Sequence, residues 1–93
     1  MRYMVIERFK NGDAVPVYQR FQEQGRLMPE GLQYIESWTT EALDCCYQLM
    51  EASSREKFHE WTARWDDLID FEIVPVISSK EAVALMTSRH LPA

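Results

Sequence analysis

No stretch of this chain approaches the roughly 20 consecutive apolar residues of a membrane-spanning helix, and Met1 to Phe9 lacks the longer apolar core of a signal peptide. A cytoplasmic location is the resulting expectation. Basic residues are scarce, with 10 Lys and Arg against 15 Asp and Glu and a formal net charge of −5. Nucleic acid and anionic membranes both select Lys/Arg-rich surfaces, so neither is an expected partner. Cysteine is limited to the neighbours Cys45 and Cys46. In an extended strand these point to opposite faces and cannot bridge without distorting the backbone, so two reduced, partly buried thiols are expected. No basic residue stands within seven positions of them to lower a thiol pKa, which counts against a redox or nucleophilic role. Glycine is sparse as well, at 3 residues. Neither a Gly-rich phosphate loop, a nucleophile elbow nor a Cys/His metal spacing is present, which removes most cofactor-dependent enzyme classes. No cofactor and no metal is therefore expected, and what survives is cofactor-free chemistry or none.

What the chain does have is apolar and aromatic patterning. Its 93 residues are 46% hydrophobic, which fits one domain spanning 1–93 with no linker, repeat or low-complexity segment to divide it. A domain this small buries only roughly 60 to 65% of the surface its unfolded chain exposes, so oligomerisation is an expected way of adding core.

Residues 2 to 10 alternate, with Tyr3, Val5, Glu7 and Phe9 on one face and Met4, Ile6 and Arg8 on the other, which is a strand. Asn11-Gly12-Asp13 breaks that pattern; Asp13 is a natural N-cap and Pro16 falls in a first helical turn, where a missing N–H costs little. Ala14, Val17, Tyr18 and Phe21 follow at helical spacing to a C-cap at Gly25, giving a helix over about 14 to 25. Pro29-Glu30-Gly31 turns into a second strand over 32 to 39, and Thr40 to Asp44 links it as a hairpin to a third over 45 to 51. Ser53-Ser-Arg-Glu56 has capping-box spacing, and Phe58, Trp61, Trp65 and Leu68 then lie on one helical stripe. A fourth strand covers 71 to 77; its Pro75 removes a ladder donor and assigns it to a sheet edge. Ser78-Ser-Lys-Glu81 repeats the capping-box spacing before a short final helix through Ala82, Val83, Leu85 and Met86, and His90-Leu-Pro-Ala reads as an untethered end.

The order is β-α-β-β-α-β plus a tail helix, an α+β chain with the ferredoxin-like arrangement of a four-stranded antiparallel sheet and both helices on one face. The sheet carries apolar residues on both faces, assigned as Val5, Tyr34, Tyr47 and Ile73 on one and Ile6, Ile35, Met50 and Val74 on the other. Two helices cover only one face. The simplest cover for the second is the sheet of another copy, in an isologous homodimer.

The segments Tyr3-Met-Val-Ile-Glu7-Arg-Phe9, Gly31-Leu-Gln-Tyr-Ile-Glu-Ser-Trp38, Gln48-Leu-Met-Glu51 and Trp61 through Glu72 into Val74-Pro75-Val76 carry a resemblance that covers nearly the whole chain. It resembles the dimeric α/β-barrel superfamily, and within it a family of short bacterial proteins of unknown function. The resemblance implies a fold and a dimer but no activity, because relatives in the superfamily include cofactor-independent monooxygenases, haem-degrading enzymes, muconolactone-type isomerases and stress-induced proteins. The haem-degrading relatives are similar in a second-helix tryptophan, matched by Trp61 in Phe58-His-Glu-Trp61. Where they carry an asparagine on the first strand this chain has Glu7, and the region of Phe71 stands where they have an axial histidine, which argues against haem.

Glu7, Glu36 and Glu51 each fall within a strand beside apolar or aromatic neighbours. Burial would raise their pKa values toward those of a general acid or base, whereas pairing with an arginine such as Arg2, Arg8, Arg20, Arg26 or Arg64 would make them structural. Glu7 is the foremost of the three, because the first strand is central in this topology. Tyr34, Tyr47, Trp38, Trp61 and Trp65 either build ordinary core or line a cavity for a flat organic molecule. Asp66, Asp67, Asp70 and Glu72 form an acidic cluster without the spacing of a calcium loop, and His59-Glu60 opens a zinc motif whose second histidine is replaced by Ala63. The leading functional expectation is a cytoplasmic homodimer binding a small apolar or aromatic molecule between sheet and helices, with Tyr34, Trp38, Glu51, Trp61 and Trp65 at the site. The alternatives are a cofactor-independent oxygenase or isomerase, with Glu7 as base and Tyr47 or Trp61 orienting the substrate, and a purely structural or interaction module.

Overall fold

The computed structural model describes residues 1–89; the end at His90–Ala93, expected to be untethered, lies outside the described residues. Strands β1 (Arg2–Phe9), β2 (Leu32–Thr39), β3 (Cys45–Ala52) and β4 (Ile69–Val76) form one sheet in the order β2-β3-β1-β4, with every neighbouring pair antiparallel. Helices α1 (Val15–Gln24) and α2 (Phe58–Ala63) supply the two crossovers, and α3 (Ser79–Ser88) follows the last strand. This is the ferredoxin-like βαββαβ arrangement, with Pro75 on the edge strand β4 and Glu7 on the central strand β1.

The helix ends follow from local chemistry. The Asp13 carboxylate accepts from the Val15 N–H at 3.0 Å, Pro16 occupies the first turn of α1, and Gly25 closes the helix at φ +69, a left-handed conformation glycine adopts without a Cβ penalty. Asp13 thus acts one residue ahead of the cap position, which is Ala14. Ser78 and Glu81 form the reciprocal capping box at the start of α3. The similar spacing at Ser53 to Glu56 does not form one: a 3-10 turn over Arg55–Lys57 precedes α2, and Ser54 caps it with no side-chain bond. The aromatic stripe also outruns its helix. After Ala63 the backbone tightens into i→i−3 bonds (Arg64 to Trp61, Trp65 to Thr62, Leu68 to Trp65), which keep Trp65 on the same side as Trp61 without extending the α-helix.

The core fills the space between α1, α2 and one sheet face. Val5, Met50, Phe58, Trp61 and Ile69 are the largest fully buried side chains, each contributing about 1.5–3 kcal/mol through removal of apolar area from water. Tyr3 meets Phe58 edge-on with ring centroids 5.1 Å apart, and Trp61 leans on Phe71 at 5.6 Å.

Register corrects the expected composition of the two faces. Tyr3 pairs with Met50 and Ile6 with Tyr47, so even-numbered residues of β3 share a face with odd-numbered residues of β1. Met50 therefore lies in the helix-covered core, and Tyr47 joins Met4, Ile6 and Leu49 on the outer face. A β-bulge between Tyr34 and Glu36 adds a second reversal: Tyr34 opposes Met50 on the inner face, but Trp38 opposes Tyr47 on the outer. The outer face presents Trp38, Tyr47 and Ile35 exposed, with Met4, Ile6, Leu49, Val74 and Val76 half-buried around them. Helix α3 does not cover it; Val83, Leu85 and Met86 on that helix are themselves exposed.

Candidate functional site

Strand alternation carries Glu7 inward between Val5 and Phe9, and the carboxyl ends up buried, at 5% exposure, between sheet and helices. Such a group needs a partner, because an unpaired buried charge costs several kcal/mol. The partner is Gln48, buried on β3 and diagonal to Glu7 across the ladder, whose Nε2 donates to Glu7 Oε2. Gln48 Oε1 in turn accepts from Arg26 Nε at 3.2 Å, so the amide is oriented from both ends. Among the described residues no fully enclosed side-chain oxygen lacks a partner. Glu7 Oε1, which takes none of these bonds, accordingly opens on the cavity that Glu7 lines.

Arg26 belongs to the loop that leaves α1, and the tryptophans of the second crossover hold that loop in place. Trp61 Nε1 and Trp65 Nε1 both donate to the Arg26 carbonyl, each at 2.9 Å, and Arg64 Nη1 donates to the Leu27 carbonyl at 2.7 Å. Leu27 is thereby kept at φ +58, a left-handed conformation costing a non-glycine residue about 1–2 kcal/mol. The pinned backbone places the Arg26 guanidinium 3.8 Å from the Tyr34 ring centroid and 5.2 Å from that of Phe21.

These groups surround a cavity of about 200 Å³. Its polar end is Glu7, Gln48 and Arg26; its walls include Phe9, Val17, Phe21, Trp61, Trp65 and Ile69, with Cys46 beside the carboxyl. Tyr18 and Thr39 share a 2.8 Å hydrogen bond on its rim. An apolar cavity of roughly 150 Å³ accepts benzene, so the volume suits one substituted ring and falls short of the roughly 300 Å³ at which drug-sized sites begin.

Electrostatics make the carboxyl adaptable. Burial pushes Glu7 up from 4.5 to about 7, against smaller lowering by the Gln48 amide and the Arg26 charge. Near neutral pH the group therefore exists in both forms, and Oε1 either accepts a proton or donates one. Cys46 moves the opposite way from a nucleophile: burial, then the nearby Glu7, push its thiol up to about 11. Both cysteines are free, Cys46 facing the core and Cys45 the other side of the sheet.

Of the residues expected at the site, the structure brings together Glu7, Trp61 and Trp65, with Tyr34 behind Arg26. Tyr47, Trp38 and Glu51 do not join them. The first two lie on the outer face, for the register reasons above, and Glu51 points the same way, with the Met1 ammonium at 3.0 Å and Arg2 at 3.7 Å. Glu36 is exposed. The acidic cluster is dispersed over separate cations: Arg20 grips Asp67 with two 2.7 Å bonds, Lys10 meets Asp70 and Arg8 meets Glu72.

Sequence reasoning missed the central roles of Gln48 and Arg26. Inward position on a strand was the available signal for Gln48, since an amide in phase with Cys46 and Met50 must be buried once the register is known. Arg26, the residue after the helix-ending Gly25, stood in the sequence only as one of five arginines available to pair with a strand glutamate.

Among the described residues no helix is long and apolar enough to cross a membrane. No curated protein and no solved structure matches the chain. A family described as Domain of unknown function (DUF3303) matches residues 1–90, and the chain belongs to that family.

Proposed function

We propose that this protein is a cytoplasmic homodimer whose protomers each bind a small aromatic or apolar molecule in the cavity between the sheet and the helices. The observation that carries the reading is the cavity itself: about 200 Å³, walled by rings and aliphatic side chains, with one end made of Glu7, Gln48 and Arg26. A concave space with mostly apolar walls and a few convergent polar groups is what recognition of a small organic compound requires. The dimer rests on the outer sheet face, where Trp38 at 54% and Tyr47 at 39% exposure sit among half-buried aliphatics with no helix over them. Pairing two such faces would bury them in the manner of a sheet sandwich.

Native mass spectrometry of the purified protein tests both parts in one spectrum. The expected result is a mass of twice 11.0 kDa plus one small organic molecule per protomer, either carried through purification or acquired from a library of aromatic compounds. A monomer that takes up nothing would refute the proposal.

One observation favours a second reading, catalysis without a cofactor. A carboxyl held near neutrality by burial, with a free oxygen facing a ring-sized cavity, suits proton abstraction from an enolisable substrate. In that case Glu7 is the base and Trp61 the orienting group, since Tyr47 lies on the far side of the sheet. Glu7→Gln would then abolish turnover of the bound compound while leaving its binding in place.

A further inference from the structure

Arg26 is, among the described residues, a cation without an anion. Among the described residues no carboxylate lies within ion-pair distance of it, although the chain is acidic overall with a net charge of −5. Its neighbours position it without neutralising it. The Tyr34 ring supports one side of the guanidinium, Phe21 stands nearby, and Gln48 Oε1 accepts a hydrogen bond from Nε. No side chain or carbonyl among the described residues accepts from its Nη groups, and Arg26 lines the cavity. Gln48 stands between Arg26 and Glu7, so the one buried carboxyl nearby does not close an ion pair with it. A guanidinium is always charged, and its planar fork matches a carboxylate in two parallel hydrogen bonds.

We infer that the cavity selects a small planar carboxylic acid, its carboxylate held by the Nη fork of Arg26 and its ring lying against Trp61, Phe21 and Val17. Glu7 faces the same space and presents its protonated carboxyl to the bound acid as a hydrogen-bond donor, since two carboxylates sharing a site do not both ionise. The titratable and charged groups facing Glu7 are Arg26 from the loop after α1, Cys46 from β3 and Tyr18 from α1. Burial keeps the Cys46 thiol protonated at neutral pH, and the proton equilibrium that a bound anion shifts is that of Glu7. This assignment rests on the small-molecule reading above and names its ligand class.

Tryptophan fluorescence with benzoate and phenol as probes decides it. The background is Trp38→Phe, which leaves Trp61 and Trp65, the two indoles lining the cavity, as the reporters. Benzoate is expected to quench them saturably and to bind roughly tenfold or more tighter than phenol, its neutral counterpart. Arg26→Gln should weaken benzoate by roughly ten- to a hundredfold without moving phenol, and Arg26→Lys, which keeps the charge but not the fork, should fall between. The Trp61 and Trp65 bonds go to the Arg26 backbone carbonyl, so the loop survives either change, and unaltered melting confirms it. Benzoate affinity should also fall on going from pH 6 to pH 8, a dependence that Glu7→Gln removes. Equal affinity for phenol and benzoate, or benzoate affinity indifferent to Arg26→Gln, overturns the acid selectivity while leaving the aromatic pocket standing. Failure of both probes to reach Trp61 and Trp65 refutes the pocket and the selectivity together.

Discussion

The side-chain amide of Gln48 donates to the Glu7 carboxyl from the diagonal position on the neighbouring strand, and the two are the buried polar pair of the core. The polar end of the cavity is arranged around that contact: Arg26 orients the far end of the amide, and the crossover tryptophans hold Arg26. A core this small sets aside packing volume for a hydrogen-bonded carboxyl, and the consequence is a measurable pH dependence.

Glu7 lowers stability as it ionises. Its folded pKa of about 7 lies above the 4.5 of an exposed carboxyl, so between those values the native state binds more protons than the unfolded chain. Stability then falls as pH rises through that window and is flat above it with respect to this group. The shift corresponds to about 3 kcal/mol. Glu7→Gln, which keeps the shape and still accepts from Gln48, should match the parent protein at pH 4.5 and exceed it by about 3 kcal/mol at pH 8, read from urea unfolding at each pH. Parallel stability curves for the two proteins would mean that Glu7 is ionised at no unusual cost.

Removal of the amide tests the same contact from the other side. Gln48→Met preserves volume but deprives Glu7 of its donor and Arg26 of its acceptor. A buried polar group left unsatisfied costs about 1–3 kcal/mol, and more when charged, so the loss should be larger at pH 8 than at pH 5. The amide lowers the Glu7 pKa, and its absence should carry the midpoint above 7 in an NMR titration of the side-chain carboxyl carbon. A midpoint unchanged in Gln48→Met would show that the amide does not act on the carboxyl.

Trp61 and Trp65 share one acceptor, and sharing makes their effects non-additive. After Trp61→Phe or Trp65→Phe alone, the Arg26 carbonyl keeps the other indole donor; after both, it keeps neither. Each single change loses ring volume and one bond, and those terms cancel in a double-mutant cycle. The expected residue is a coupling of about 0.5–2 kcal/mol, with the double variant worse than the sum. Strict additivity in chemical denaturation would mean that one of the two bonds contributes nothing.

Much of the architecture was legible because local chemistry agreed with it. The alternation of Tyr3, Val5, Glu7 and Phe9, the Ser78–Glu81 box and the Gly25 stop each act within a few residues, and each formed where the sequence put it. Pairing register is a different kind of information. The hairpin turn of Thr40 to Asp44, with Leu43 at φ +60 and Thr40 Oγ1 accepting from the Asp44 and Cys45 N–H groups, joins β2 to β3, but whether Cys46 or Cys45 opposes Glu7 is decided by the ladder between β1 and β3, strands far apart in sequence. A one-residue difference there moves every side chain of β3 to the other face, which is why Tyr47 and Met50 were assigned to each other's sides. The bulge at Ile35 has no sequence signal of its own, since no glycine marks it, and it alone separates Trp38 from Tyr34. Arg26 was illegible for a third reason: its importance lies in bonds to residues 35 and 39 positions away.

The outer face offers the remaining test, because what register took from the cavity it gave to the surface. Trp38 and Tyr47 oppose each other there, and Ile6 pairs with Tyr47 from the other side, so the three form one apolar row across β2, β3 and β1. If two copies join through this row, sedimentation equilibrium at micromolar concentration should return twice the 11.0 kDa chain mass. Ile6→Lys and Trp38→Glu each bring an unpaired charge into the centre of such an interface, where charged residues are depleted and truncations cost most. Both variants should sediment at the single-chain mass while keeping the inward-facing Glu7 titration intact, since neither side chain touches the cavity. Val83→Asp on α3 places the same charge on an exposed apolar residue away from the sheet and should leave the dimer unchanged. Dissociation by Val83→Asp with Trp38→Glu still dimeric would move the interface from the sheet to the tail helix, and a parent protein that sediments as a monomer would remove the dimer altogether.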